Sequence, residues 1–384
     1  MNHTLSKAVR NNDIDTLASW NSVDFLKNFF DNIPEPLPRA NYPIEFHSCN
    51  LIHIAAYYDS LECLEYLYNK GCPINSVTMY GFTPLFYACI NGSFDSALFL
   101  CQHGANVNFI PKSSTTTPLL MATLSKSNDI LHVLIEHGAI YPDQIQGVLI
   151  SPKFLPLKVA IMTRNIEAIC LFLEMNADPN HIKPHHNTPL ISSIAMGLFE
   201  FVPKILSMTK KPSIVTDAGI SALSIACESN KPDIVRLLLA FYVDPTPLLS
   251  KKKTIVHLAV SSGNPEILEM ILETGISPMI ADSNDIIPGF YMNNIDKPEA
   301  IQIYRLLIKY GWEVNHMCKS TTVLANYVIH PKATSSLLLF LLENGADPTL
   351  KCRNNMSVYQ ICDLMGTDIA RTTFNSWKMK SNKI

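Results

Sequence analysis

The 384-residue sequence is poor in charge: Asp, Glu, Lys and Arg make up 16% of it and nearly cancel, leaving a net charge of −3. With a pI near 6.4 there is no basic excess to meet phosphates, which argues against nucleic acid and against an anionic membrane surface as partners. No apolar run approaches the ~20 residues that cross a bilayer, so no membrane insertion is expected. No basic start leads into the apolar stretch of a signal peptide. The ten cysteines contain no C-x-x-C pair and follow no regular framework, which fits a reduced, cytoplasmic setting better than a disulfide scaffold. Catalytic signatures are missing too: no G-x-G-x-x-G, no G-x-x-x-x-G-K, no H-E-x-x-H and no G-x-S-x-G. The expectation is a chain with no enzyme activity, no catalytic residue, no cofactor and no metal.

What is present is apolar content, 47% of residues, arranged in a beat. The clearest stretch runs from Gly81 to Asn108, GFTPLFYACINGSFDSALFLCQHGANVN. Pro84 suits a first helical turn, where its missing N–H has no partner to lose, and Thr83 suits the N-cap before it. Leu85, Ala88 and Cys89 fall at helical spacing, with the two small residues admitting a neighbouring helix. Gly92 breaks the chain ahead of a second helix with Phe94, Ala97, Leu98 and Leu100 on its apolar stripe. Gly104 then closes that helix in a left-handed cap. Such a helix–turn–helix unit cannot bury its apolar face alone.

The position of Leu85 recurs as Leu5, Ile52, Leu85, Leu119, Leu157, Leu190, Leu223, Val256, Gly289, Val323 and Val358, at intervals of 47, 33, 34, 38, 33, 33, 33, 33, 34 and 35 residues. The order Gly81, Thr83-Pro84-Leu85, Ala88, Gly92, Gly104-Ala105 and Asn108 resembles an ankyrin repeat, whose period is about 33 residues. Only the His after Leu departs, being Phe86 here. The resemblance covers nearly the whole chain and implies an all-α fold: an ankyrin-repeat solenoid of about eleven stacked helix–turn–helix units with finger-like turns between them. Residues 1–49 read as an N-terminal capping helix pair plus a proline-rich insertion, 50–349 as the array, and 350–384 as a C-terminal capping repeat and basic tail. Trp377 is expected to close the terminal core.

The weakest unit is 287–315, where Gly289 stands for Leu and Tyr291, Met292 and Asn293 replace the small pair; its first helix is expected to be distorted. Two intervals overrun the period. One holds the proline cluster Pro34, Pro36, Pro38 and Pro43, which no helix continues through, and the other lies within Ile140 to Phe154. Insertions in repeat arrays map to loops, often on the binding face.

The resemblance implies a non-enzymatic scaffold that binds a partner protein through a concave groove of finger tips and first helices. The alternative is a substrate-recognition adaptor for a modifying complex such as a ubiquitin ligase. Groove positions with aromatic or apolar character are Phe46, His47, Tyr57, Tyr58, Met79, Tyr80, Phe82 and Ile90, the residue types from which binding hot spots are built. These eight are the candidate partner-binding residues, in a monomeric chain. His181, His185 and His186 stand near one another without a Cys or carboxylate close by and read as a polar finger tip rather than a zinc site. His53 and His257 occupy the repeat's own His position, where the family uses it to support the turn. Lys251, Lys252 and Lys253 read as a solvated finger, with an acidic-partner contact as the second reading.

Overall fold

A computed structural model describes residues 2–19, 49–111, 116–145, 155–180 and 187–381. All regular elements among them are helical, apart from two isolated bridges inside turns. The chain divides into two compact units, 1–183 and 184–384, a division that falls inside the array expected over 50–349.

The described residues of the first compact unit hold five helix pairs: Asn2–Arg10 with Ile14–Ala18, Leu51–Tyr58 with Leu61–Asn69, Pro84–Asn91 with Phe94–Gln102, Pro118–Ser125 with Asn128–Glu136, and Pro156–Thr163 with Ile166–Glu174. The first helix of each pair lies against the first helix of the next. A helix flanked on both sides and backed by its own partner has little surface left. Every residue from Pro84 to Ile90 is accordingly buried, and a fully buried Leu such as Leu85 contributes about 1.5–3 kcal/mol.

The second compact unit continues the pattern through Pro189–Ala195 with Val202–Met208, Ala222–Glu228 with Pro232–Ala240, Ile255–Ser262 with Pro265–Glu273, Val323–Val328 with Ser335–Glu343, and Val358–Met365 with Asp368–Ser381. Between the third and fourth of these stands the weak unit. Its first α-helix is reduced to a four-residue 3-10 turn, Pro288–Tyr291, while its second, Glu299–Lys309, is intact. The distortion read from the sequence is present, and the glycine within it has a steric reason. A Cβ on Gly289 would lie 2.5 Å from Nε1 and 2.6 Å from Cε2 of Trp312, whose ring is 3% exposed. Trp312 follows Gly311 as Ala105 follows Gly104, so this unit exchanges the usual Leu and Ala for Gly and Trp. The Tyr304 hydroxyl donates to the Gly289 carbonyl oxygen at 2.7 Å and completes the plug.

Caps follow the chemistry of their residues. Thr117, Thr188, Thr322, Ser221 and Ser357 each accept the backbone N–H three residues on. Thr83 occupies the N-cap as expected, yet its buried hydroxyl makes no capping bond. The helix from Pro156 starts from Leu155, which has no hydroxyl; the buried Tyr141 supplies one, accepting the Leu157 N–H at 3.0 Å. The second insertion thus begins with a core residue, and 146–154 fall outside the described residues. Gly104 sits at φ +84° with open space around its missing Cβ, so conformation rather than room requires glycine there. At the C-terminal end Phe374 fills the core against Tyr359, whereas Trp377, expected there, is half-buried. The terminal helix runs through Lys378 to Ser381 instead of ending before the basic tail.

Terminal asparagines join successive units. The Asn75 side chain donates to the Gly104 carbonyl oxygen (3.1 Å) and accepts the Asn106 N–H (2.8 Å). Asn108 does the same to Gly138 and Ile140, and Asn315 to Gly345 and Asp347. Each carboxamide satisfies both a helix-end carbonyl and the turn beyond it, which accounts for Asn at this place in the signature.

Candidate protein-interaction surface

In the first compact unit the surface centres on the finger from Val77 to Phe82. Thr78 N–H bonds the Phe82 carbonyl (3.0 Å), Gly81 N–H bonds the Thr78 carbonyl (2.8 Å), and the Phe82 N–H also reaches Thr78 Oγ1 (3.2 Å). Gly81 turns the chain at φ +80°. His53 braces this finger from the preceding unit. Its Nδ1 accepts the Asn50 N–H at 3.3 Å, and its Nε2 faces the carbonyl oxygens of Ser76 at 3.0 Å and Phe82 at 3.2 Å. Carbonyls only accept, so Nε2 carries the proton, while Nδ1 also faces Asn50 Oδ1 at 2.6 Å. Burial lowers its pKa to about 4, partly opposed by the carbonyls of Ser76 and Phe82. His257 repeats the arrangement, accepting the Thr254 N–H at 3.0 Å and donating to the Ile286 carbonyl at 3.0 Å, and burial lowers its pKa as well. Both histidines support turns, as their place in the repeat implied.

The braced finger presents Met79 and Tyr80 to solvent, 67% and 37% exposed, with Val77 beside them at 41%. Phe82 is half-buried, stacked on Phe86 at 4.3 Å. Tyr58 is half-buried, edge-on to Tyr57 at 5.0 Å, with the Arg10 guanidinium 4.9 Å over its ring. Two of the expected groove residues need correction. Tyr57 and Ile90 are buried, because the ends of these first helices are covered along with their middles. Phe46 and His47 lie outside the described residues, as do His181, His185 and His186. Sequence reasoning missed Val77, whose position just ahead of the finger was a usable signal, and Arg10, which comes from a unit distant in sequence.

No group of three or more His, Cys, Asp or Glu among the described residues is arranged to hold a metal ion. No described helix is long and apolar enough to cross a membrane. Nine of the ten cysteines are buried, and burial raises the thiol pKa of Cys49, Cys101 and Cys227 to about 12, which keeps them protonated and unreactive.

Comparison with known proteins agrees with this geometry. A family model described as ankyrin repeats (3 copies) matches residues 5–111, 52–146 and 199–282. The chain is 27% identical over 246 residues to the ankyrin repeat protein nuc-2 of Neurospora crassa, covering 63% of this chain and 19% of that protein. It is 25% identical over 213 residues to the B-cell lymphoma 3 protein homolog of Mus musculus, covering 52% and 46%. It therefore spans less than half the length of these relatives. Among solved structures, the human ASB11 ankyrin repeat domain matches 66% of this chain and 96% of its own, at 21% identity and a TM-score of 0.35. The ankyrin repeat domain of Bcl-3 matches 57% and 97%, at 22% identity and a TM-score of 0.43. With the family model matching more than half of its residues, the chain belongs to the ankyrin repeat family.

Proposed function

We propose that this chain is a non-enzymatic interaction scaffold that grips a partner protein with the Val77–Phe82 finger. The observation that carries the reading is the exposed pair Met79 and Tyr80 on a finger whose base is hydrogen-bonded to a buried, neutral His53. An exposed Tyr on a pre-ordered support buries large area at little entropic cost, the character of a hot spot, and the adaptable Met beside it adds apolar area. Ankyrin repeats are protein-binding modules in general, which supports the class of function. Residues 358–381 form a further helix pair of the array, so an adaptor role has no separate recruiting segment among the described residues.

Cross-linking in the native cell identifies the partner, and titration of the purified pair then tests the finger. Met79→Ala with Tyr80→Ala should weaken binding by about 2–4 kcal/mol, with the circular dichroism spectrum unchanged. Unaltered affinity in that variant would remove the finger from the interface.

A further inference from the structure

A second surface lies in the other compact unit, between two neighbouring fingers. Ser250 N–H reaches the Gly219 carbonyl oxygen at 3.4 Å, and a Cβ on Gly219 would fall 2.1 Å from that nitrogen, so only glycine allows the approach. In the angle between these fingers and the first helices is an open cleft of about 360 Å3. Its apolar floor includes Ile220, Ile225 and Leu258, its basic rim Lys251 and Lys253, and Glu228 is its one carboxylate.

The rim combines two features. Lys251 and Lys252 are exposed, and with Lys253 they form no ion pair among the described residues. Of the two acids on the next finger, Asp282 and Asp285, the first is already committed: it accepts the Tyr291 hydroxyl and the backbone N–H groups of Asn284 and Ile286. Lys251 and Lys252 also both hold left-handed backbone, at φ 59° and 56°. Tight turns of this kind favour Asn and Gly; the finger at Asn354 and Asn355 has the same backbone with the more suitable residue type, and the finger at Lys319 and Ser320 has it with one lysine rather than two. The chain therefore keeps two cations without an ion pair among the described residues on a tip where Asn or Gly suits the backbone better, beside a cleft of mixed polar and apolar lining.

We propose that this cleft binds an extended acidic peptide segment of a partner, with an apolar side chain on the Ile225–Leu258 floor and the adjacent carboxylates on Lys251 and Lys252. Glu228 opposes such a ligand and limits its affinity. This site is separate from the Met79–Tyr80 finger, and each is tested without the other.

The test uses the full chain and two fluorescein-labelled peptides, one with a Leu followed by three Glu in a Gly-Ser background, the other with Gln for each Glu. Anisotropy titration at low ionic strength should give about tenfold tighter binding of the Glu peptide, falling toward parity as salt is added. Lys251→Asn with Lys252→Gly preserves the turn and removes both charges; it should abolish the preference for Glu while the fold is kept. Glu228→Gln should tighten the Glu peptide about threefold. Equal binding of the two peptides, binding of neither, full retention by the Asn-Gly variant, or indifference to Glu228→Gln would each overturn the proposal. Binding unchanged by Met79→Ala with Tyr80→Ala separates this site from the other finger.

Discussion

The exchange of Gly289 and Trp312 makes a prediction opposite to the usual rule that restoring a family's common residue stabilises a repeat. Even Ala at 289 would place its Cβ 2.5–2.8 Å from three atoms of the Trp312 ring, and Trp312 is enclosed on its other side by Tyr304, at a ring separation of 5.2 Å. Neither ring can retreat freely, so Gly289→Ala should cost about 1–3 kcal/mol by overpacking, and Gly289→Leu at least as much. Trp312→Ala alone should cost about 3–5 kcal/mol through the cavity it leaves. Made together, Gly289→Leu and Trp312→Ala recreate the Leu–Ala pairing of Leu85 and Ala105. The double variant should then be more stable than the sum of its parts by roughly 1–3 kcal/mol. Because repeats unfold non-uniformly, the measurement is hydrogen exchange resolved by peptide over 287–315, compared across all four proteins. In the parent chain the turn at 288–291 should exchange before the helix 299–309; uniform protection would contradict the distorted-helix reading. A neutral Gly289→Ala, or additivity within ~0.5 kcal/mol, would refute the steric account of this unit.

Three further outcomes follow from the same geometry. His53 is held neutral with a pKa of about 4 against 6.5 for the free side chain, so the unfolded chain binds this proton first. Stability is then complete above pH 6.5 and falls as pH drops toward 4, by up to ~3 kcal/mol; urea unfolding at stepped pH should show the loss, and His53→Gln should flatten it. Tyr242 holds left-handed backbone at φ 55° and is 92% exposed, where most units place Gly, so Tyr242→Gly should stabilise its unit by about 1 kcal/mol, and a destabilised variant would show that its ring has packing value. Asn108→Ala removes both bonds joining adjacent units and should cost about 1–2 kcal/mol in protection of 104–140, with Asn108→Asp, which keeps the acceptor, losing less.

Much of the architecture was legible because repeats write their contacts into local spacing. Pro at the first turn, small residues where helices approach, Gly or Asn at left-handed caps and a terminal Asn are each dictated by backbone chemistry within one unit or its neighbour. The candidate surface was less legible. Tyr58, Met79, Tyr80 and Phe82 keep at least part of their surface open, whereas Tyr57 and Ile90 do not, since exposure at a helix end depends on what covers it. The capping hydroxyl of Tyr141 likewise serves a helix beyond an insertion, at no fixed spacing.

The sequence by itself determined the period, because it rests on spacing within one unit and its neighbour; the resemblance to the ankyrin repeat implied the all-α class and the supporting role of His53 and His257. Only the tertiary structure decided that Gly289 is small because Trp312 is large, and that Lys251 and Lys252 stand on left-handed backbone beside a cleft with Ile220, Ile225 and Leu258 in its lining. Both facts depend on volume and charge contributed by residues from different units, and those meet only when the units stack.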